Sequence, residues 1–290
     1  MAWPWRAPWR ARHANRPTTG DGRRHPGHWS FSSHSLRGAK PAMRVAVLGD
    51  VHSNREALEA VISDAKAEGA ERFLQVGDIV GYGPDPADCI DRLREVEADV
   101  CLGNHDAATV RLLSLDAFNP FAKMALEWTM FELKRPHRDL LQKLPLQVGF
   151  PELDATLVHG SLHKPETFDY VRSLASAAHS LEVQETQVCF VGHSHQPCLF
   201  TMDDRGSVEH LSAFKREGNH TLQPDERTLV NVGSVGQPRD EDPRAAYVIY
   251  DTQEKSVRLL RVDYDIRVVQ ERIRQKGLPN VLADRLSYGL

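Results

Sequence analysis

Residues 44–52 read Arg44-Val45-Ala46-Val47-Leu48-Gly49-Asp50-Val51-His52, and the class of fold turns on what this stretch is. A short β-branched run closed by Gly-Asp has the form of a buried strand ending in a tight turn. Behind it, residues 54–68 place Leu58, Ala60, Val61, Ile62 and Ala65 on one helical face, and Gly69 stops the helix. The alternation continues with a strand over 72–76 ending at Gly77-Asp78, a helix over 86–97, and a third strand over 100–102 ending at Gly103-Asn104. Strands alternating with helices predict an α/β fold with a largely parallel sheet.

Residues 119–143 are expected to be helical, with Phe121, Met124, Ala125, Trp128 and Phe131 as an apolar stripe facing the core. Strands return over 154–158, 188–191, 197–202, 228–232, 246–251 and 256–262. The hairpin-like spacing of the last few suggests an antiparallel second half, with Asp203-Asp204-Arg205-Gly206 as a simple hairpin turn. Residues 266–275 and 280–287 read as terminal helices.

The first 42 residues differ from the rest. They hold eight Lys or Arg against one acid, Asp21, and four of the five tryptophans, so the overall charge of −4 combines a basic extension with an acidic body. Their lack of any helical or strand period predicts a disordered extension ahead of a domain over 43–290. Met43, immediately before the first strand, could be the natural start, leaving the extension either a start-site artefact or an inert tail. An organellar transit peptide fits less well, because Pro4, Pro8, Pro17 and Pro26 leave no room for an amphipathic helix.

At 41% hydrophobic and 26% charged residues, the chain has the composition of a soluble globular protein. Its charge gives no general attraction to nucleic acid or acidic membranes, and no apolar run approaches the roughly 18 residues of a membrane span. Cys89, Cys101, Cys189 and Cys198 include no C-x-x-C pair. Buried, reduced thiols and a cytoplasmic location are expected.

Ligands of open α/β sheets bind outside the carboxyl ends of the strands. Five successive strand ends here carry Asp50-Val51-His52, Gly77-Asp78, Gly103-Asn104-His105-Asp106, His159-Gly160 and Gly192-His193-Ser194-His195. Asp and His suit divalent transition metals, and Asn can add a neutral oxygen. Any one piece alone is an ordinary turn. All five together, without a metal, would gather His and Asp side chains at a high desolvation cost.

The ordered set D-x-H, G-D, G-N-H-D, H-G and G-H-S-H resembles the calcineurin-like metallophosphoesterase family, over Arg44 to about Asp263. Gly77-Asp78-Ile79-Val80-Gly81-Tyr82-Gly83-Pro84 and Asn231-Val232-Gly233-Ser234-Val235-Gly236-Gln237-Pro238-Arg239 are similar to its compact bacterial phosphodiesterase branch. The resemblance implies a four-layer αββα sandwich of two mixed β-sheets flanked by helices, with a dinuclear site at the carboxyl edge of the strands. It implies one metal on Asp50, His52, Asp78 and His195, and a second on Asp78, Asn104, His159 and His193, with Asp78 bridging. Relatives often read N-P-G-S where this chain has Asn231-Val232-Gly233-Ser234, a loop expected to support the site through its backbone.

Two divalent metals roughly 3.5–4 Å apart can share a hydroxide and clamp phosphoryl oxygens, which predicts a phosphodiesterase acting on small phosphodiesters or nucleotides. Manganese is the expected metal, with iron, zinc, cobalt or nickel compatible. The family places its equivalent of His105 on the leaving-group side, and an unperturbed pKa of about 6.5 suits that role; Asp106 could orient the imidazole. Tyr82 could stack on a substrate or simply pack its turn. Arg239 could meet a phosphate, or pair with Asp240 or Asp242. His163, His179, His210 and His220 read as solvated. The alternatives are a serine/threonine protein phosphatase of the same fold and a non-catalytic metal-binding scaffold.

Overall fold

Val45 and Val47 point to one side of the first strand and Ala46 and Leu48 to the other, and all four are fully buried. A strand buried on both faces needs a layer on each side. The computed structural model supplies both layers; it describes residues 42–215 and 218–290. The expectations for the N-terminal extension lie outside the described residues.

In chain order the elements are β1 (Arg44–Leu48), α1 (Arg55–Ala67), β2 (Arg72–Gln75), α2 (Pro86–Glu95), β3 (Asp99–Val100), α3 (Asn104–Thr109), α4 (Pro120–Glu132), α5 (Arg135–Leu141), β4 (Gln147–Phe150), β5 (Ala155–Val158), α6 (Leu174–Glu182), β6 (Val188–Val191), β7 (Cys198–Met202), β8 (Val208–His210), β9 (Asn219–Thr221), β10 (Arg227–Asn231), β11 (Ala245–Asp251), β12 (Ser256–Val262), α7 (Ile266–Gln275) and α8 (Asn280–Asp284). One sheet has the order β3-β2-β1-β11-β12-β9, the other β4-β5-β6-β10-β7-β8.

Each sheet contains a parallel triple, β3-β2-β1 in the first and β5-β6-β10 in the second, and passes from it into antiparallel neighbours. The second half is therefore mixed rather than antiparallel. β6 and β10 pair in parallel, Val188 opposite Thr228, across a long connection that hairpin spacing does not reveal. β4, β8, β9, α3 and α6 had no counterpart in the periodicity.

Alternation along the strands defines the layers. Val45, Val47, Val248, Tyr250, Phe190 and Val230 meet between the sheets. Ala46, Leu48, Tyr247 and Ile249 pack outward against Leu58, Val61 and Ile62 of α1. Cys189, Val191 and Leu229 pack outward against Ala177 and Leu181 of α6. The result is an αββα sandwich. All four cysteines are buried in it, and burial pushes the Cys189 thiol up to about 12.

Two features of the middle segment depart from the sequence pattern. The helix breaks at Leu133–Lys134, because Pro136 lacks an N–H and would clash with the carbonyl of Glu132 in a continuous helix. Of the apolar stripe, Ala125 is buried and Trp128 half-buried as expected, whereas Phe121, Met124 and Phe131 face outward, 48%, 53% and 88% exposed. The face turned inward carries Leu126 together with Ala122, Ala125 and Thr129, three small side chains that let α4 approach its neighbours closely. The loop Asp203–Gly206 is the expected turn between β7 and β8, closed by the Gly206 N–H donating to Asp203 O at 3.1 Å. His163, His179 and His210 are exposed as expected, whereas His220 is half-buried.

Leu126→Ala should destabilise the protein by about 2–5 kcal/mol, and Phe131→Ser should change it by about 0.5 kcal/mol or less. Urea unfolding midpoints of the two variants check this; the opposite ranking would restore the stripe to the core.

Candidate metal centre

The ligand-type residues stand just beyond the parallel triples. Asp50 and His52 follow β1, Asp78 follows β2, Asn104 and His105 open α3 after β3, His159 follows β5, and His193 and His195 follow β6. Asp50, His52, Asp78, His193 and His195 take φ values between 47° and 64°, a left-handed conformation costing of order 1–3 kcal/mol per residue.

Bonds between the loops hold them there. The Asp50 N–H donates to Gly77 O at 3.2 Å, the His52 N–H to Asp78 O at 3.0 Å, and the Gly192 N–H to His159 O at 2.9 Å. The loop after β10 braces them with side chains as well as backbone. Asn231 Nδ2 donates to Gly192 O at 2.6 Å, and Ser234 Oγ donates to Asp50 O at 2.8 Å. Gly103 is required by contact: a Cβ there would lie 2.1 Å from both the N and the Oδ1 of Asp78.

The side chains converge in three overlapping groups: Asp50, His52 and His195; His52, Asp78 and His105; and Asp78, His159 and His193. Asp78 Oδ2 lies 3.7 Å from His52 Nε2 and 3.3 Å from His159 Nε2. Asn104 Oδ1 joins the third group, 3.0 Å from His159 Nε2. All of these residues are buried.

The hydrogen bonds dictate the tautomers. Nδ1 of His52, His159 and His195 lies 3.0, 2.8 and 2.6 Å from the carbonyls of Val80, Val76 and Gln237. A carbonyl only accepts, so each Nδ1 carries a proton; the neutral rings of His52 and His195 present a bare Nε2, while His159 turns its Nε2 to Asp78 Oδ2. Nε2 of His52 and Nε2 of His195 then face each other at 3.0 Å, lone pair to lone pair. Asp78 Oδ1 accepts from the His105 N–H at 2.8 Å, while the buried Oδ2 has no hydrogen-bond partner. Facing nitrogens and an orphaned carboxylate oxygen lack a positive charge between them. The donor set fits divalent metal ions.

Titration follows the same crowding. Burial holds His52, His193 and His195 below the ordinary histidine range, and so favours bare imidazoles. Burial, reinforced by Asp78, pushes Asp50 up to about 8. Burial opposes the charge on Asp78 too, but His159, His105 and His52 outweigh it and hold that carboxyl below its usual range. Burial works against a charged His159, yet Asp78 lifts it to about 9.

His105 is buried, packed against Tyr82, His52 and Phe118 with ring centroids 4.5, 4.7 and 5.0 Å away. Burial pulls it down to about 4. Asp106 does not orient that ring: its two oxygens accept backbone N–H groups from Asp78, Val80 and Gly103 at 2.8, 3.2 and 3.2 Å. The carboxylate is consumed in tying the β2 loop to the β3 loop.

A cleft of about 270 Å³ opens over the centre, floored by Asp78, Asn104, His105, His193 and His195. Tyr82 reaches it, but is buried and packs edge-on against His52 at 4.6 Å. Arg239 also lines it. Among the described residues Asp240 pairs with Arg261 and Asp242 with Arg244, so Arg239 forms neither expected ion pair; its Nη2 donates to Gln237 Oε1 at 2.8 Å. Phe118, Phe168 and Tyr170 add aromatic rings to the lining. They lie in irregular segments outside any motif, and no sequence signal marked them.

Comparison with known proteins gives four findings. The pattern of the calcineurin-like phosphoesterase superfamily domain matches residues 43–255. An uncharacterised protein of Methanocaldococcus jannaschii is 34% identical over 252 residues, 84% of this chain and 98% of that protein. A metallophosphoesterase from Sphaerobacter thermophilus is 37% identical with a TM-score of 0.74, covering 86% of this chain and 100% of that one. The fold is also similar to that of a hypothetical protein from Pyrococcus horikoshii, at 23% identity and TM-score 0.67, covering 85% and 98%.

Asp106→Asn replaces one acceptor oxygen with an amide that cannot accept the backbone N–H groups. A loss of about 1.5–3 kcal/mol per disrupted charged hydrogen bond is expected, read as a lowered thermal midpoint of the metal-free protein. Equal midpoints for Asp106→Asn and wild type would contradict the bracing role.

Proposed function

The chain belongs to the calcineurin-like phosphoesterase superfamily, and from that premise we propose that it hydrolyses small phosphodiesters or nucleotides at a pair of divalent ions. Metal-dependent phosphoester hydrolysis is the activity of the family; the substrate class and the two-ion arrangement are the proposal. The observation that carries it is Asp78, whose Oδ2 lies between the two sets of side chains, 3.7 Å from His52 Nε2 and 3.3 Å from His159 Nε2, at the floor of one cleft. Asp50, His52, Asp78 and His195 would hold one ion, and Asp78, Asn104, His159 and His193 the other.

When bound, such ions supply positive charge for the phosphoryl oxygens and make water nucleophilic near neutral pH. The chain's own groups do the rest. Carbonyls of Val76, Val80 and Gln237 fix the imidazoles, so the site needs little rearrangement during reaction. Neutral His105, at the cleft floor, can donate one N–H hydrogen bond to the leaving oxygen and stabilise its developing charge. Arg239 offers a guanidinium to a phosphoryl oxygen. A cleft of about 270 Å³ favours a small ester over a folded protein surface.

Manganese is the metal we would supply first, since mixed His, Asp and Asn ligation suits it. The buried thiols of Cys89, Cys101 and Cys189 support a reducing, cytoplasmic setting. No helix among the described residues is long and apolar enough to cross a membrane.

Hydrolysis of bis-p-nitrophenyl phosphate tests the proposal. Chelation should abolish it and Mn(II) should restore it; His105→Ala should lower kcat by about 10²–10⁴-fold, and Asp78→Asn by at least as much. A metal-loaded protein inert on diesters but active on phosphopeptides would turn the reading to a protein phosphatase.

A further inference from the structure

His193 is the exception among the imidazoles of the centre. His52, His159 and His195 each give Nδ1–H to a backbone carbonyl, the bond that ordinarily fixes the plane of a metal-ligating ring. His193 instead turns Nδ1 inward, 3.1 Å from His159 Nε2. Its outer nitrogen, Nε2, meets no hydrogen-bond partner among the described residues. The backbone N–H of His193 is held by the Asp50 carboxylate at 3.1 Å, but that leaves the ring itself free to tilt.

A different contact covers the ring. Tyr170 lies flat on it, centroids 3.9 Å apart and planes 11° from parallel. The Arg172 guanidinium lies over the Tyr170 ring at 4.0 Å, where its charge is attracted to the aromatic face. The segment bearing both residues is seated closely. A Cβ on Gly160 would be 2.8 Å from Asp169 O and 3.0 Å from Phe168 C, so the absence of a side chain beside His159 lets the backbone of Phe168 and Asp169, just before Tyr170, approach. Phe168, in the same segment, packs edge-on to His159 at 6.1 Å.

We propose that Tyr170 is a positioning residue for the second metal subsite: its ring, stacked on His193, takes the place of the missing carbonyl bond and keeps Nδ1 aimed at Asp78 and His159. This rests on the assignment of Asp78, Asn104, His159 and His193 to one ion. The stacked ring, rather than the hydroxyl, is the working part. Tyr170→Phe and Tyr170→Trp therefore keep the function, and Tyr170→Ala removes it.

Isothermal titration of Mn(II) into the metal-free full chain separates these possibilities, with the exchange-coupled two-manganese EPR signal as a second readout. Wild type, Tyr170→Phe and Tyr170→Trp should bind two equivalents and show the coupled signal. Tyr170→Ala should bind the first equivalent normally, which also reports that it is folded. It should bind the second about 10–100-fold more weakly, the loss typical of a removed outer-shell partner. Two unweakened equivalents in Tyr170→Ala would overturn the positioning role and leave the two-ion site standing. Loss of the second equivalent in Tyr170→Phe as well would overturn the stacking argument. A wild type that binds fewer than two equivalents would overturn the two-ion reading and this inference with it.

Discussion

A carboxylate taken out of water needs compensation for both oxygens, and Asp78 has a hydrogen bond to only one. Oδ1 accepts the His105 N–H; Oδ2 is buried between imidazoles with no hydrogen-bond partner. Much of the surrounding architecture serves to hold this carboxylate there. Gly103 has no side chain because Asp78 occupies that space. Asp106 binds the Asp78 backbone from below. Three neighbouring imidazoles donate Nδ1–H to carbonyls, so that their Nε2 atoms face inward. Groups so arranged carry too much negative potential for a closed protein interior, and divalent cations are the chemistry that balances it.

The two sheets explain why such a cluster can be assembled at all. Each contributes a parallel triple whose strands finish on the same edge, and side chains beyond parallel strand ends project together. The inter-sheet core of Val47, Val248, Phe190 and Val230 locks one triple against the other. Left-handed backbone at Asp50, His52, Asp78, His193 and His195 is strained, and that sandwich is the rigid frame able to impose it. Stability of the layers and geometry of the centre are thus one problem.

Much of this was legible in the sequence. The β-branched runs before Gly49-Asp50 and Gly77-Asp78 announced the first triple, and the ligand-type residues were readable because they are side chains at strand ends. What escaped reading has physical causes. A helix with apolar residues on two sides does not reveal which side is covered, and on α4 the small face of Ala122, Ala125 and Thr129 packs while Phe131 does not. The parallel pairing of β6 with β10 depends on contacts between residues 40 apart. The carbonyls of Val76, Val80 and Gln237 that orient the rings are backbone atoms, without a residue signature. Asp106 sits beside His105 in sequence, yet the helical turn that begins there points its carboxylate to backbone N–H groups.

Anomalous diffraction at the manganese edge from crystals grown with Mn(II) tests the central claim most directly. Two peaks are expected, one on each side of the Asp78 carboxylate, the first among Asp50, His52 and His195 and the second among Asn104, His159 and His193. A single peak, or none in contact with Asp78, would contradict the bridging role on which the chemistry depends.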